Sequence, residues 1–264
     1  MLKAGVEREL LNKFKRVTMM KNKWFFLLIG VLMVSLTLPQ QRKIRVYMVG
    51  DSTMANKAAN KFPETGWGQV FNEYFNSSVT IFNHAQNGRS TKSFINEKRW
   101  QVVLDSLKQG DYVFIEFGHN DEKVEKPAVG TTLDEFRTNL IKYVSEARAK
   151  KAIPVLLTPV ERRSFKDGQL ADSHGKYPDV IREVAKEYKV PFIDMQLKSR
   201  ATLVSVGEGP SAKLFLQGDS GVLANYPKGV KDNTHFNQDG AKTMAGLAAQ
   251  GVKELNLPLA KYLK

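Results

Sequence analysis

Five short apolar runs punctuate the chain: IRVYMVG (44–50), VTIFNHA (79–85), YVFIEFG (112–118), IPVLLTPV (153–160) and VPFIDM (190–195). They are rich in branched and aromatic residues and mostly do not alternate with polar positions. That is the pattern of strands covered on both faces of a parallel sheet. Between them the period becomes helical. In TLDEFRTNLIKYVSEARAK (132–150), Leu133, Phe136, Leu140 and Val144 recur at helical spacing, and YPDVIREVAKEYK (177–189) has a similar face. NQDGAKTMAGLAAQGVKEL (237–255) follows a polar turn and forms the last helix. Strands alternating with helices predict a doubly wound α/β fold, a three-layer α/β/α sandwich around a five-stranded parallel sheet. No solenoid repeat or low-complexity tract interrupts it, so residues 41–264 are expected to form one folded domain.

The N-terminus has a different pattern. MKNKWFFLLIGVLMVSLTLPQQRK (20–43) begins with basic residues and continues with an uncharged apolar stretch from Trp24 to Leu38. The stretch is short for a membrane span and fits the apolar region of a secretory signal; an uncleaved anchor is the alternative. Residues 1–40 are therefore expected to be a leader, and the protein to be exported to the periplasm or cell exterior. The basic, helical-looking residues upstream are unusual before a signal, which suggests that translation starts at Met19 or Met20.

Composition narrows the chemistry. The chain of 264 residues has no cysteine, which excludes disulfides, thiol catalysis, thiolate metal sites and a lipidated N-terminal cysteine. The formal charge is +13, of which residues 1–42 carry +6 and the remainder +7. The basic residues are dispersed, so they describe either a solvated surface or an attraction to polyanions. No nucleic-acid-binding motif accompanies them. An acidic polysaccharide suits an exported chain better, with no membrane partner beyond the leader.

In VYMVGDSTMANK (46–57) an apolar run ends abruptly at Gly50-Asp51-Ser52. Ser52 is either the cap of a following helix or a nucleophile at a strand end, and a nucleophile needs a base, an orienting group and oxyanion donors. Ligands of doubly wound sheets bind beyond the carboxyl ends of the strands. Ser52, Gly88 and Asn120 follow the first, second and third strands, and DNTHFNQDG could return to the same edge. Asp232 and His235 have the spacing at which a carboxylate in a turn reaches Nδ1 of the imidazole and leaves Nε2 free as a base. Of the other histidines, His84 reads as a core residue, His174 as a loop residue without a partner, and His119 as a neighbour of Asn120. GEGPSA (207–212) formally fits a dinucleotide fingerprint, but it follows no strand and Pro210 stands where a helix should open. Ser52 lies in no Gly-x-Ser-x-Gly elbow, and no His/carboxylate cluster has metal-ligand spacing.

Four segments, VGDST (49–53), NHAQNGRSTKSF (83–94), FIEFGHND (114–121) and DNTHFNQDGA (232–241), resemble the four sequence blocks of the SGNH (GDSL-type) hydrolases. TPVERRSF (158–165) and VPFIDM are secondary matches. Thr53 stands where the broad family has Leu, which narrows the resemblance to the rhamnogalacturonan acetylesterase branch. The resemblance implies a flavodoxin-like fold with Ser52 as nucleophile, His235 as base and Asp232 as its partner. It implies an oxyanion hole formed by the N–H groups of Ser52 and Gly88 with the Asn120 amide, and no metal or cofactor. The expected activity is removal of acetyl groups from an acidic plant polysaccharide, rhamnogalacturonan or pectin. Arg89 and Arg162 adjoin the motif loops, either to meet substrate carboxylates or as surface and ion-pair residues. The alternatives are an esterase for xylan, peptidoglycan or lipid, and a catalytically silent carbohydrate-binding protein. An intact Ser52, Asp232 and His235 argue against the last.

Overall fold

The computed structural model describes residues 5, 7–17, 19 and 43–264. The chain divides into two compact units, Met1–Arg42 and Lys43–Lys264. In the first, residues 7–17 are helical, with Leu10, Leu11, Phe14 and Val17 exposed. The apolar stretch expected to be a secretory signal lies outside the described residues. No helix among the described residues is long and apolar enough to cross a membrane.

The second unit contains nine strands: β1 (Ile44–Gly50), β2 (Val79–Asn83), β3 (Tyr112–Glu116), β4 (Ile153–Leu157), β5 (Phe165–Lys166), β6 (Gln169–Leu170), β7 (Phe192–Ile193), β8 (Phe215–Gly218) and β9 (Val230–Phe236). Five of them form one sheet in the order β2-β1-β3-β4-β7, every neighbouring pair parallel. This is the expected α/β sandwich in its flavodoxin-like order, with the topological switch between β1 and β3.

The unbroken apolar runs arise because both faces are covered. Successive side chains of a strand point to opposite faces. Val46, Met48, Tyr112, Phe114, Val155 and Leu157 enter one core with Trp67, Phe71, Met244 and Ala248. Tyr47, Val49, Val113, Ile115 and Leu156 enter the other with Trp100, Phe136, Tyr143 and Ile181. Helices Gln238–Glu254 and Met195–Val206 cover the first face, and helices Leu133–Ala149 and Tyr177–Glu187 the second. Thr132 starts Leu133–Ala149 with a reciprocal capping box: its hydroxyl accepts the Glu135 N–H, and Glu135 accepts the Thr132 N–H. Asn237 caps the last helix by accepting the Gly240 N–H.

Strands β2, β3, β4 and β7 are shorter than their apolar runs. Phe117 and Val160 are fully buried but lie beyond the ladder, so the core reaches further than the hydrogen bonding. Two pairings escaped the sequence pattern, the hairpins β5–β6 and β8–β9. Residues 208–211 also form a short helix despite Pro210. The proline occupies the first turn, where a helix loses no hydrogen bond to it, so its position was no argument against a helix. The segment still follows a helix, Met195–Val206, rather than a strand.

Candidate active site

No α-helix begins at Ser52. Residues 52–54 are a turn, and the next α-helix starts at Trp67. Asp51 organises that turn: its Oδ1 accepts the Thr53 N–H at 3.0 Å and the Thr53 hydroxyl at 2.9 Å. Ser52 is thereby left out of capping. The turn is pinned from outside, where Trp67 N–H donates to Thr53 O and Gly68 N–H to Met54 O. A Cβ on Gly66 would come within 2.0 Å of Ala55 O, so only glycine allows this approach.

Ser52 Oγ lies 2.8 Å from His235 Nε2, and His235 Nδ1 lies 2.7 Å from Asp232 Oδ2. The carboxylate fixes the tautomer: Nδ1–H donates to Asp232, and Nε2 accepts from the Ser52 hydroxyl. Asp232 and His235 are on β9 rather than in the expected turn. A regular strand would send positions three apart to opposite faces. Here Phe215 pairs with Phe236 but Gln217 pairs with Lys231, so Leu216 alone faces residues 232–235, which bulge outward. Asp232 Oδ1 holds the bulge by accepting the N–H groups of Thr234 at 2.7 Å and His235 at 2.9 Å. Burial pushes the Asp232 carboxyl up, but the His235 ring and these N–H groups outweigh it and bring it down to about 2. It is a stable anion facing the imidazole.

Gly88 has a φ of +76°, a left-handed turn that favours glycine. Among the described residues, no protein group accepts the N–H of Gly88 or of Ser52. Asn120 is buried; its Nδ2 donates to Arg89 O at 3.1 Å and its Oδ1 accepts from Lys123 Nζ at 2.8 Å. The ammonium fixes the carbonyl end of the amide, leaving the second Nδ2 hydrogen available. Lys123 was missed from sequence because nothing in a loop lysine marks its partner. The structure thus brings Ser52, His235 and Asp232 into one hydrogen-bonded chain, with unclaimed donors on the Ser52 and Gly88 loops.

The two arginines part company. Arg89 is paired with Glu97, with its side chain 31% exposed. Arg162 is 18% exposed and pairs with Glu122, while donating to Ser173 O at 2.8 Å and His119 O at 3.3 Å. Its guanidinium is absorbed by the protein. The remaining histidines differ from expectation. His174 is buried and well partnered, with Nδ1 3.0 Å from Glu122 Oε2 and Nε2 2.9 Å from Val160 O. His84 is half-buried and stacks on Tyr47 rather than entering the core.

A second group of ionisable side chains is sealed into the fold. Glu116 accepts from Trp67 Nε1 at 2.7 Å and Val160 N–H at 3.1 Å. Burial and the nearby Asp51 push its carboxyl up to about 8. Asp121 accepts the N–H of Thr91 at 3.0 Å and also its hydroxyl, yet burial raises it to about 8. His119 Nδ1 is 3.3 Å from Asp51 Oδ2 without hydrogen-bond geometry, and burial lowers the imidazole to about 4. Among the described residues, no group of three or more His, Cys, Asp or Glu could hold a metal ion.

Residues 48–243 match the GDSL-like Lipase/Acylhydrolase family. The chain is 40% identical over 224 residues to the rhamnogalacturonan acetylesterase RhgT of Bacillus subtilis, covering 84% of this chain and 95% of that protein. It is 34% identical to the probable rhamnogalacturonan acetylesterase YesY of the same organism, covering 83% and 96%. Among solved structures, Bacillus subtilis YxiM superposes with a TM-score of 0.70 at 26% identity, covering 82% of this chain and 58% of that one. Axe2, an acetylxylan esterase from Geobacillus stearothermophilus, superposes with a TM-score of 0.58 at 18% identity, covering 82% and 95%. That likeness is one of fold. The chain belongs to the GDSL-like lipase/acylhydrolase family, has the fold of the SGNH hydrolases and is a carboxylic ester hydrolase.

Proposed function

We propose that this family member is an exported serine esterase that removes acetyl groups from an acetylated acidic plant polysaccharide, rhamnogalacturonan in pectin. The observation that carries the chemistry is the chain Ser52 Oγ–His235 Nε2 (2.8 Å) and His235 Nδ1–Asp232 Oδ2 (2.7 Å). The substrate class is supported by the two relatives bearing rhamnogalacturonan acetylesterase names. The +7 charge of the chain beyond residue 42 fits a polyanion.

Ser52 Oγ attacks the acetyl carbonyl carbon as His235 Nε2 takes its proton. The carbonyl oxygen becomes an oxyanion, received by the N–H groups of Ser52 and Gly88 and by Asn120 Nδ2. The tetrahedral intermediate collapses, the C–O bond to the sugar breaks, and His235 gives its proton to the leaving sugar oxygen. Water then loses a proton to His235 and attacks the acetyl-enzyme, the bond from the acetyl carbon to Ser52 Oγ breaks as His235 returns the proton to Oγ, and acetate leaves. Asp232 remains ionised and stabilises the imidazolium.

Acetate release from acetylated rhamnogalacturonan, xylan and peptidoglycan tests the reading. The pectic polymer is expected to be the best substrate, and Ser52→Ala to abolish release without moving the thermal midpoint. Faster release from xylan would move the substrate assignment and keep the mechanism. Substantial turnover by Ser52→Ala would end the mechanism.

A further inference from the structure

The ammonium of Lys57 is placed where an oxyanion hole needs a brace. Its side chain is 2% exposed. An ammonium has three N–H donors and no acceptor, and here each donor has a partner. Nζ lies 2.6 Å from Ser52 O, 2.9 Å from Asn87 Oδ1 and 2.8 Å from Glu64 Oε1. The backbone before the side chain is also fixed, since Lys57 N–H donates to Gln69 Oε1 at 2.9 Å. Glu64 in turn is fixed by Tyr226, whose hydroxyl lies 3.2 Å from Glu64 Oε2.

Ser52 and Gly88 sit on loops after different strands, and no backbone hydrogen bond joins either residue directly to the other among the described residues. Gln86 N–H reaches back to Gly50 O, two residues before each of them. Lys57 closes the gap: it grips the carbonyl of Ser52 itself and the side chain of the residue next to Gly88. The two loops that carry the proposed oxyanion donors are thereby tied to one ammonium. We propose that Lys57 is a positioning residue for the oxyanion hole, tying the Ser52 carbonyl to Asn87 so that the Ser52 and Gly88 N–H groups converge. This rests on the serine-esterase function proposed above.

Removing one oxyanion donor costs about 10²–10³ in rate, and a displacement of about 1 Å about 10². Loss of the brace leaves the donors present but misplaced, so an effect below full removal is expected. Lys57→Met alone strands the Glu64 carboxylate and can destabilise the fold. Lys57→Met/Glu64→Gln removes both charges together, and Asn87→Ala cuts only the exposed end of the bridge. With a small aryl acetate, Lys57→Met/Glu64→Gln should lower kcat about 10- to 100-fold with KM within about twofold. Asn87→Ala should lower kcat about 3- to 10-fold, again at constant KM, and add nothing further once Lys57 is Met. Thermal midpoints measured alongside separate geometry from stability, since a purely structural lysine would lower the midpoint and leave the kcat of the folded fraction intact. Wild-type kcat in Asn87→Ala, or losses that multiply when the two changes are combined, would overturn the positioning role. Ser52→Ala is assayed in parallel: its inactivity beside unimpaired Lys57 variants refutes the brace alone, whereas an active Ser52→Ala refutes the esterase mechanism and the brace with it.

Discussion

Asp232 and Glu116 are both carboxyl side chains held by several donors, and at neutral pH one is ionised and the other is not. Asp232 accepts two backbone N–H groups and an imidazole, is half-buried, and falls to about 2. Glu116 accepts an indole N–H and a backbone N–H, is fully buried beside Asp51, and rises to about 8. Asp121 is like Glu116, although it too accepts a backbone N–H and a hydroxyl. The number of donors therefore does not decide ionisation here. Dehydration and the Asp51 charge outweigh them at Glu116 and Asp121, while Asp232 gains the imidazole and keeps some solvent, and Asp51, equally buried, is brought down to about 2 by the His119 ring and the Thr53 donors. The open region holds an anion that can stabilise an imidazolium; the sealed region holds the anion of Asp51 together with two protonated carboxyls, of which Glu116 joins Thr53 in the turn after β1 to Val160 beyond β4.

Replacing each carboxylate by its amide breaks this comparison if it is wrong. Asp232→Asn removes the charge and offers the wrong tautomer to His235, so kcat should fall by about 10⁴. The thermal midpoint should move little, because the site is half-open. Asp121→Asn replaces a neutral group by a neutral group of the same shape and should leave kcat within about threefold. Steady-state kinetics on the two purified variants decides it, and a comparable loss in Asp121→Asn would show that the sealed region takes part in turnover.

Stability tests the sealed group directly. Glu116→Ala strands Trp67 Nε1–H and the Val160 N–H in the core, and should cost about 3 kcal/mol, whereas Glu116→Gln should cost about 1 kcal/mol or less. Glu116 and Asp121 hold protons in the fold up to about pH 8, while the unfolded chain releases them near its ordinary carboxyl values. Their contribution is complete below those values and is lost as pH rises through about 8. His119 acts in the other direction: it stays neutral in the fold down to about 4, so acid favours unfolding from about pH 6.5 downward. Between about pH 6.5 and 8 the carboxylates act alone, and the urea midpoint should fall. In Glu116→Gln that fall should shrink. A rising midpoint over this window would mean that the buried groups are ionised.

The sheet was legible because both faces are covered, which turns each strand into an uninterrupted apolar run. The positions of Ser52, Gly88 and Asn120 were legible for a related reason, since strand ends in a parallel sheet converge on one edge. The setting of Asp232 and His235 was not. β9 is polar and lies outside the main sheet, and what brings positions 232 and 235 together is a bulge opposite Leu216, set by pairing with a strand some fifteen residues earlier. Lys57 was hidden for the same kind of reason: its partners Glu64 and Asn87 lie 7 and 30 positions along the chain. His174 read as a loop residue without a partner and Arg162 as a substrate contact or a surface or ion-pair residue, and only the packing of Glu122 against both shows the ion pair.

The two arginines carry the smallest expected effect and divide along the same line between open and sealed. Arg89 keeps about a third of its side chain exposed beside the Gly88 turn, and its partner Glu97 also pairs with Arg99, so it is only partly neutralised. An extended acidic polymer crossing that rim would gain from it, but an exposed charge contributes less than about 1 kcal/mol and is screened by salt. Arg89→Glu should therefore raise KM for an acetylated galacturonate polymer by about two- to fivefold at low salt, with kcat unchanged and a neutral aryl acetate unaffected. Added salt should raise the wild-type KM and narrow the gap between the two proteins. Arg162 lies on the sealed side, where its guanidinium is shared among Glu122, Ser173 O and His119 O. Arg162→Ala should leave Glu122 and His174 without their third member, lower the thermal midpoint, and depress acidic and neutral substrates alike. If Arg162→Ala instead raised KM for the polymer alone, its guanidinium would have to reach the substrate, and the line drawn between the two regions would run on the other side of it.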